Sequence, residues 1–301
     1  MRTVRSSQFA IQFAVQSAIL DPLMPHTIHV AHSPDSDDAF MFYALAKGII
    51  DTGDIRYVHE LQDIETLNQR ALRGELEVTA VSIHAYSYLT ERYALLPHGA
   101  SMGDRYGPRL VAREPMSREA LRGRRIAIPG PLTTAALVLR MYQPDFVAIV
   151  TPFDQIEDAV DRGDVDAGLL IHEGQLTYQD RGLHLVADMG EWWYEQTSLP
   201  LPLGGNVIRK DLGMPLMRTI SSHLRASIAH ALANRPKALD HAMSYARGLD
   251  RAKADEFVGM YVNQWTLDYG ERGRLAVRTL LQKGVQAGII ERQVTVEFVE
   301  D

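Results

Sequence analysis

His172 and Glu173 stand side by side after the apolar run AGLLI (residues 167–171), which predicts a buried strand. An imidazole that emerges from an apolar strand is expected to stay neutral near pH 7 and to accept a proton, so His172 is predicted to be a general base. Glu173 could orient the ring, although strand neighbours point to opposite faces. A structural histidine bonded to a backbone carbonyl is the plainer alternative. His84 is a second candidate base, expected on a helix surface.

Thr133 and Thr134 fall where a predicted helix begins after the strand RIAIPG. The free N–H groups and positive end of such a helix, with two hydroxyls beside them, suit a carboxylate or phosphate. The alternative is that one threonine only caps the helix. The two residues are therefore predicted to bind the substrate.

Three aspartates, Asp35, Asp37 and Asp38, precede the predicted helix AFMFYALAKG. Clustered carboxylates favour hard cations. Capping by Ser36 or an aspartate explains the cluster more simply, because acidic residues suit the positive end of a helix. The chain also lacks nucleotide-binding and metalloprotease motifs. The sequence therefore predicts no metal and no cofactor.

These residues stand in turns of a repeated pattern of a short apolar strand, a turn and a helix, beginning at Ile28. The pattern predicts an α/β fold with parallel sheets covered by helices on both faces. Ligands bind outside the carboxyl ends of such strands. Four ends are expected, at Ser33, Ser82, Thr133 and His172, and two facing lobes would bring them to one cleft.

The pattern becomes helical from about Met214, which predicts a discontinuous first lobe. We expect residues 26–113 and 206–301 to form lobe 1 and residues 114–205 to form lobe 2. GPRLVARE (residues 107–114) and PLGGNVIRKD (residues 202–211) are the expected crossovers. Residues 1–25 are interpreted as an N-terminal extension rather than a secretion signal, since Gln12 and Gln16 interrupt the apolar run.

Composition narrows the range of functions. The chain has 301 residues, a net charge of −7 and no basic tract, which argues against a nucleic-acid partner. It has no cysteine, which excludes disulfides and thiolate chemistry. No apolar run is long enough to span a membrane. Composition therefore predicts a cytoplasmic protein and does not indicate the oligomeric state. A small-molecule carboxylate is the partner expected from the turn at Thr133 and Thr134.

A series of motifs resembles the 1,4-dihydroxy-6-naphthoate synthases of menaquinone biosynthesis by the futalosine route. The motifs run in one register from about Ile28 to Gly270: SPxxxDxFxFYAL, DIETLN, SxxAY…RY, PGxxTTA, AGLLIHEGQLTY, WWxExTxLPLPLG and YVNxxxLDxG. The resemblance implies a two-lobe fold like that of type II periplasmic binding proteins, with a central cleft. It also implies a cofactor-free lyase that acts on cyclic dehypoxanthinyl futalosine.

The resemblance assigns roles to individual residues. The histidine of the family's IHE turn, its proton acceptor, corresponds to His172. The substrate-binding segments correspond to the sites in this list: Ser33, Ala80, Val81, Ser82, Thr133 and Thr134.

This chain departs from the family at two places. SPDSDD (residues 33–38) replaces the usual SPCPND, and Ala80 replaces a frequent lysine. Losing a cation and gaining acids weakens any anion site there. Two alternatives therefore stay open: chorismate dehydratase, which shares the fold and pathway, and a solute-binding protein without chemistry.

Overall fold

The computed structural model describes residues 26–300, so the predicted extension at residues 1–25 lies outside the described residues. The strands are as follows: β1 (His26–His32), β2 (Ile55–Leu61), β3 (Val78–Ser82), β4 (Tyr93–Leu95), β5 (Ser101–Gly103), β6 (Arg109–Ala112), β7 (Arg125–Ile128), β8 (Val147–Val150), β9 (Ala167–Leu170), β10 (His184–Asp188) and β11 (Leu201–Arg209). The α-helices are as follows: α1 (Ser36–Ala46), α2 (Ile64–Arg73), α3 (Ile83–Tyr86), α4 (Thr134–Tyr142), α5 (Ile156–Arg162), α6 (Gly174–Thr177), α7 (Met189–Thr197), α8 (Met214–Ala233), α9 (Arg235–Ala242), α10 (Arg251–Tyr261), α11 (Gln264–Leu267) and α12 (Gly270–Gln286).

The strands form two sheets, which confirms the α/β fold class. The first sheet has the order β2-β1-β3-β11-β4, with β5 also paired to β11. The second has the order β10-β6-β9-β7-β8. We refer to each sheet with its flanking helices as a lobe: α1–α3 and α8–α12 belong to the first lobe, and α4–α7 to the second.

The expectation of parallel sheets is wrong for part of each sheet. Strands β1, β2 and β3 are parallel, as are β7, β8 and β9. However, β11 runs antiparallel to β3, and β6 runs antiparallel to β9. The reason is the chain path: β6 and β11 each arrive from the other lobe at the carboxyl ends of the parallel strands, so they must run back along the sheet. Both sheets are therefore mixed.

The passages between the lobes are shorter than the expected crossovers. Strand β6 lies inside residues 107–114 and already belongs to the second sheet, while β11 belongs to the first sheet from Leu201 onward. The first passage therefore follows β5 directly, and the second precedes β11. The lobe limits drawn from the sequence at residues 114 and 205 remain a prediction.

Local sequence explains the elements that carry the cleft. The predicted cap of α2 is confirmed, because the Asp63 side chain accepts a hydrogen bond from the N–H of Thr66. Strand β3 is buried along its whole length, and its pairing with β11 sets Gly204 opposite Ser82. A core of buried residues continues from Val81 and Val207 in the first sheet to Leu169 in the second. No helix among residues 26–300 has both the length and the apolar character to cross a membrane.

Candidate active site

A cleft lies between the two lobes, with about 800 Å³ of empty volume including its solvent-open part. A cleft of this size suits a small organic ligand. The structure brings all the residues proposed from the sequence to its lining: Ser33, Ala80, Val81, Ser82, Thr133, Thr134 and His172. They lie at the carboxyl end of β3 or on the turns that follow β1, β7 and β9, because both sheets direct their parallel strands toward the cleft.

His172 is held by a carboxylate from the opposite lobe. Its Nδ1 lies 2.8 Å from Oδ2 of Asp35, which stands just before α1. The side chains are 17% and 2% exposed, respectively, so the pair is shielded from water. The expectation that Glu173 orients the ring is not what the structure shows, because the geometry gives that contact to Asp35. The capping explanation for Asp35 is also wrong, since its side chain makes no cap hydrogen bond.

The backbone of His172 is fixed in an unusual conformation. Its φ of 54° lies in the left-handed region that residues with a side chain seldom adopt. The carbonyl of His172 accepts hydrogen bonds from both the backbone N and Nε2 of Gln175. The ring of Phe153 meets the imidazole edge-on, with centroids 4.8 Å apart. These contacts position the Nε2 atom of His172, which none of the described residues hydrogen-bonds.

The surroundings of His172 are not apolar as expected, because the carboxyl groups of Asp35 and Glu173 lie close to its ring. Burial lowers the pKa of His172, but the charge and hydrogen bond of Asp35 and the charge of Glu173 outweigh burial, so the pKa lies above 6.5. Arg247 opposes this rise. Burial alone would raise the pKa of Asp35, yet its contacts with His172 and a hydrogen bond with Asp37 bring that pKa below its ordinary value. The two residues therefore form a hydrogen-bonded pair in which Asp35 makes the imidazole a stronger base.

The pKa values of the two other acids of the turn are raised. Burial, followed by the charge of Asp35, raises the pKa of Asp38 to about 8 and that of Asp37 well above its ordinary value. Oδ2 of Asp38 also accepts a hydrogen bond from the N–H of Ser33 at 2.7 Å. Three potential ligand atoms, from Asp35, Asp37 and His172, lie within 4.8 Å of one another. We assign no metal to them, because Asp35 and His172 already bind each other.

Both threonine hydroxyls are committed within the protein. Thr133 Oγ1 donates to the carbonyl of Gly130 and accepts from the N–H of Ala136, so it caps α4. Thr134 Oγ1 donates to the carbonyl of Leu203 at 2.6 Å and accepts from the N–H of His84. These hydroxyls therefore serve the fold. What this turn offers a ligand is backbone N–H at the start of α4.

Ser82 contributes a donor to the cleft. Its Oγ accepts a hydrogen bond from Nδ2 of Asn68 at 3.1 Å, and its N–H donates to Oδ1 of the same residue at 2.9 Å. Since Asn68 supplies the proton in the first bond, the hydroxyl proton of Ser82 is available to a ligand. Sequence reasoning missed Asn68, although it lies in the DIETLN motif that carried the resemblance.

His84, the second candidate base, is buried rather than on a helix surface. It is 4% exposed and does not line the cleft. Its Nδ1 lies 3.3 Å from the carbonyl of Thr133, and burial lowers its pKa to about 4. The reason for the error is that α3 has only four residues and packs between β3, β11 and α4. His84 is therefore a core residue next to the site.

The two lobes and the ligand-sized cleft between them define a protein with the periplasmic-binding-protein-like fold. The alkanesulfonate-binding protein SsuA of Xanthomonas axonopodis pv. citri, solved with MOPS, aligns with a TM-score of 0.68 at 12% identity, covering 91% of this chain and 97% of that one. The protein AF1704 of Archaeoglobus fulgidus aligns with a TM-score of 0.85 at 48% identity, covering 88% and 98%.

Sequence comparison gives the particular family. Residues 28–286 match the menaquinone biosynthesis family, so the chain belongs to it. The 1,4-dihydroxy-6-naphthoate synthase of Thermus thermophilus is 40% identical over 262 residues, covering 87% of this chain and 95% of the relative. The enzyme of the same name from Streptomyces coelicolor is also 40% identical, covering 88% and 95%. This chain is therefore an enzyme of menaquinone biosynthesis.

Proposed function

We propose that this protein is a lyase that converts cyclic dehypoxanthinyl futalosine into 1,4-dihydroxy-6-naphthoate, with His172 as the general base. The observation that carries the proposal is a histidine fixed at the cleft by a buried carboxylate, in a chain 40% identical to two enzymes named for this product. The reaction needs no cofactor, and cytoplasmic localisation stays a prediction.

The chemistry asks for a base and for charge stabilisation. The substrate is a spiro-fused bicyclic ketone joined to a sugar ring, and loss of a proton with expulsion of the sugar fragment yields an aromatic product. Nε2 of His172 takes the proton while Nδ1 keeps its hydrogen bond to Asp35. The carboxylate of Asp35 stabilises the imidazolium that forms. Aromatisation of the ring drives the step.

Neighbouring groups of both lobes supply the anchor for the substrate carboxylate. No lysine or arginine of residues 26–300 lines the cleft. The anchor therefore consists of neutral donors: the backbone N–H groups of Thr134 and Ala135 at the start of α4 and the hydroxyl of Ser82. Ala80 and Val81 of β3 also line the cleft, and Ser33 lies beside the acidic turn.

The test is turnover by the purified protein with each of two substrates. Cyclic dehypoxanthinyl futalosine should be converted to 1,4-dihydroxy-6-naphthoate. Chromatography of the reaction mixture detects this product. Turnover of chorismate instead would identify a chorismate dehydratase. Binding of either compound without turnover would identify a solute-binding protein.

A substitution tests the base directly. His172→Asn should lower kcat by about 10²–10⁴-fold, the usual contribution of a positioned base, with product affinity retained. His184→Asn is the matched control, because His184 is an exposed residue on the same lobe. Since the pKa of His172 lies above 6.5, the wild-type rate should fall as the pH drops through a midpoint above 6.5. A folded His172→Asn protein with wild-type kcat would exclude His172 as the base.

A further inference from the structure

We propose that Asp35 is a positioning residue for the general base, supplied by the opposite lobe, so that the base is complete only when the cleft is closed. The inference rests on the proposed function of His172. It stands on the 2.8 Å contact between Oδ2 of Asp35 and Nδ1 of His172 and on the burial of both side chains. The two residues belong to different sheets' turns, at β1 and β9, so no single lobe contains the pair.

The carboxylate of Asp35 has the largest effect among the facing charges on the pKa of His172. The charged and titratable groups that face the imidazole are Asp35, Asp37, Asp38, Glu173 and Arg247. Glu173 is buried and its pKa is raised, and the pKa of Asp38 is raised to about 8. Each of these two side chains therefore carries less negative charge near neutral pH than an exposed carboxylate would. Arg247 is a cation and opposes protonation of the ring. Asp35 alone combines a lowered pKa with a direct hydrogen bond to the imidazole.

Other contacts hold the two lobes together around this pair. The hydroxyl of Tyr261 donates to Oε1 of Gln175 at 2.8 Å, and the same glutamine binds the carbonyl of His172. The guanidinium of Arg247 lies 4.3 Å from the centroid of the Phe153 ring, which in turn touches His172. The contact of Tyr261 with Gln175 and the contact of Arg247 with Phe153 each join a residue of the first lobe to one of the second. A motion that separates the lobes therefore also separates Asp35 from His172.

The consequence is a base whose strength depends on closure. With Asp35 in place, Nδ1 holds its proton and Nε2 presents its lone pair to the substrate. Without Asp35, the ring loses its fixed tautomer and the charge that stabilises the imidazolium. Because the two members of the pair belong to different lobes, the base is complete only when the lobes close around the substrate. Proton removal is therefore limited to a substrate that is enclosed in the cleft.

The experiment compares Asp35→Asn with Asp35→Glu, and uses Asp54→Asn as the control, because Asp54 is an exposed residue of the same lobe. The readouts are kcat and KM with cyclic dehypoxanthinyl futalosine from pH 5 to 9 and the titration of His172 by ¹⁵N NMR. For Asp35→Asn we expect kcat to fall about 10–10²-fold, the effect of one hydrogen bond to a charged group, with little change in KM. The acid midpoint and the His172 titration should both move to lower pH. Asp35→Glu should restore the midpoint in part.

A folded Asp35→Asn protein with an unchanged midpoint and an unchanged His172 titration would overturn the proposal. A merely structural role would lower stability and leave both titrations in place. The NMR titration does not depend on turnover. Failure of the proposed function, with no product from any variant, is therefore distinct from failure of the role of Asp35.

The role of closure has its own test at Lys253, which pairs with Asp180 of the other lobe at 2.7 Å. Lys253→Glu places like charges at this contact and disfavours closure. We expect it to lower the acid midpoint of kcat in the wild-type background and to leave it unchanged in Asp35→Asn. An equal shift in both backgrounds would overturn the link between closure and the base.

Discussion

Thr134→Val separates two functions that a threonine at this helix start could have. The hydroxyl of Thr134 joins the carbonyl of Leu203, at 2.6 Å, to the N–H of His84, at 3.1 Å. Thr134 is 2% exposed, so water cannot replace the lost hydroxyl without rearrangement. Valine keeps the side-chain volume and leaves both backbone groups without their partner. The substitution should therefore destabilise the fold rather than weaken ligand binding.

The magnitude follows from the two bonds. An unsatisfied buried polar group costs about 1–3 kcal/mol, so two of them, with partial relaxation, should lower the free energy of unfolding by about 2–4 kcal/mol. At about 2–4 °C per kcal/mol for a chain of this order of size, Tm should fall by about 5–15 °C. Thr133→Val loses only a helix cap and should cost about 0.5–2 kcal/mol. Thr134→Ser keeps the hydroxyl and should retain most of the stability.

The assays are urea unfolding at pH 7 and calorimetric titration with 1,4-dihydroxy-6-naphthoate. We expect Thr134→Val to bind the product with nearly wild-type affinity once it is folded, because the N–H groups at the start of α4 remain. Wild-type stability together with product binding weaker by about tenfold, which is about 1.4 kcal/mol, would refute this reasoning. Such a result would return the hydroxyl of Thr134 to the role of substrate anchor.

Two further predictions concern the acidic turn and the anchor. Asp38→Asn should stabilise the protein at alkaline pH: its folded pKa of about 8 lies above the unfolded value, so its favourable contribution is lost as pH rises through 8. Urea unfolding at pH 5 and pH 9 checks this, and an unchanged pH dependence in the variant would contradict it. Ser82→Ala should weaken product binding by about tenfold or more through loss of one hydrogen bond to a carboxylate. Ser87→Ala is its control, because Ser87 is buried outside the cleft lining, and equal affinities in the two variants would contradict the assignment.

The parts of the fold that could be predicted from the sequence depend on local signals. Apolar runs followed by polar turns marked the strands that end at the cleft, and Asp63 marked the start of α2. The change to helical periodicity after Met214 corresponds to α8–α12. Strand direction is not a local property. The antiparallel course of β6 and β11 depends on which lobe the chain comes from, so alternation of strands and helices alone predicted a parallel sheet.

In the candidate site, too, local features could be predicted from the sequence and contacts between distant residues could not. Each of the four turns could be located from its own residues. The partner of His172 could not, because Asp35 lies on the other lobe and its neighbours Asp37 and Asp38 made a capping role equally natural. The hydrogen-bond partners of the Thr134 hydroxyl could not be predicted either, since Leu203 and His84 contact it only in the folded chain. Side-chain pairing between lobes is thus the information that local patterns lack.

The acidic turn raises a question about a carboxylate substrate, and the protonation of its residues answers it. Three aspartates and a glutamate near the cleft would repel an anion if all four were charged. Burial raises the pKa of Asp37 and of Asp38, however, and the carboxylate of Asp35 is hydrogen-bonded to Nδ1 of His172. The substrate carboxylate is also expected at the start of α4 in the second lobe, whereas the acidic turn belongs to the first. The acidic turn therefore lies on the other lobe from the expected anion, and its Asp35 raises the pKa of His172, which makes the imidazole a stronger base for proton removal.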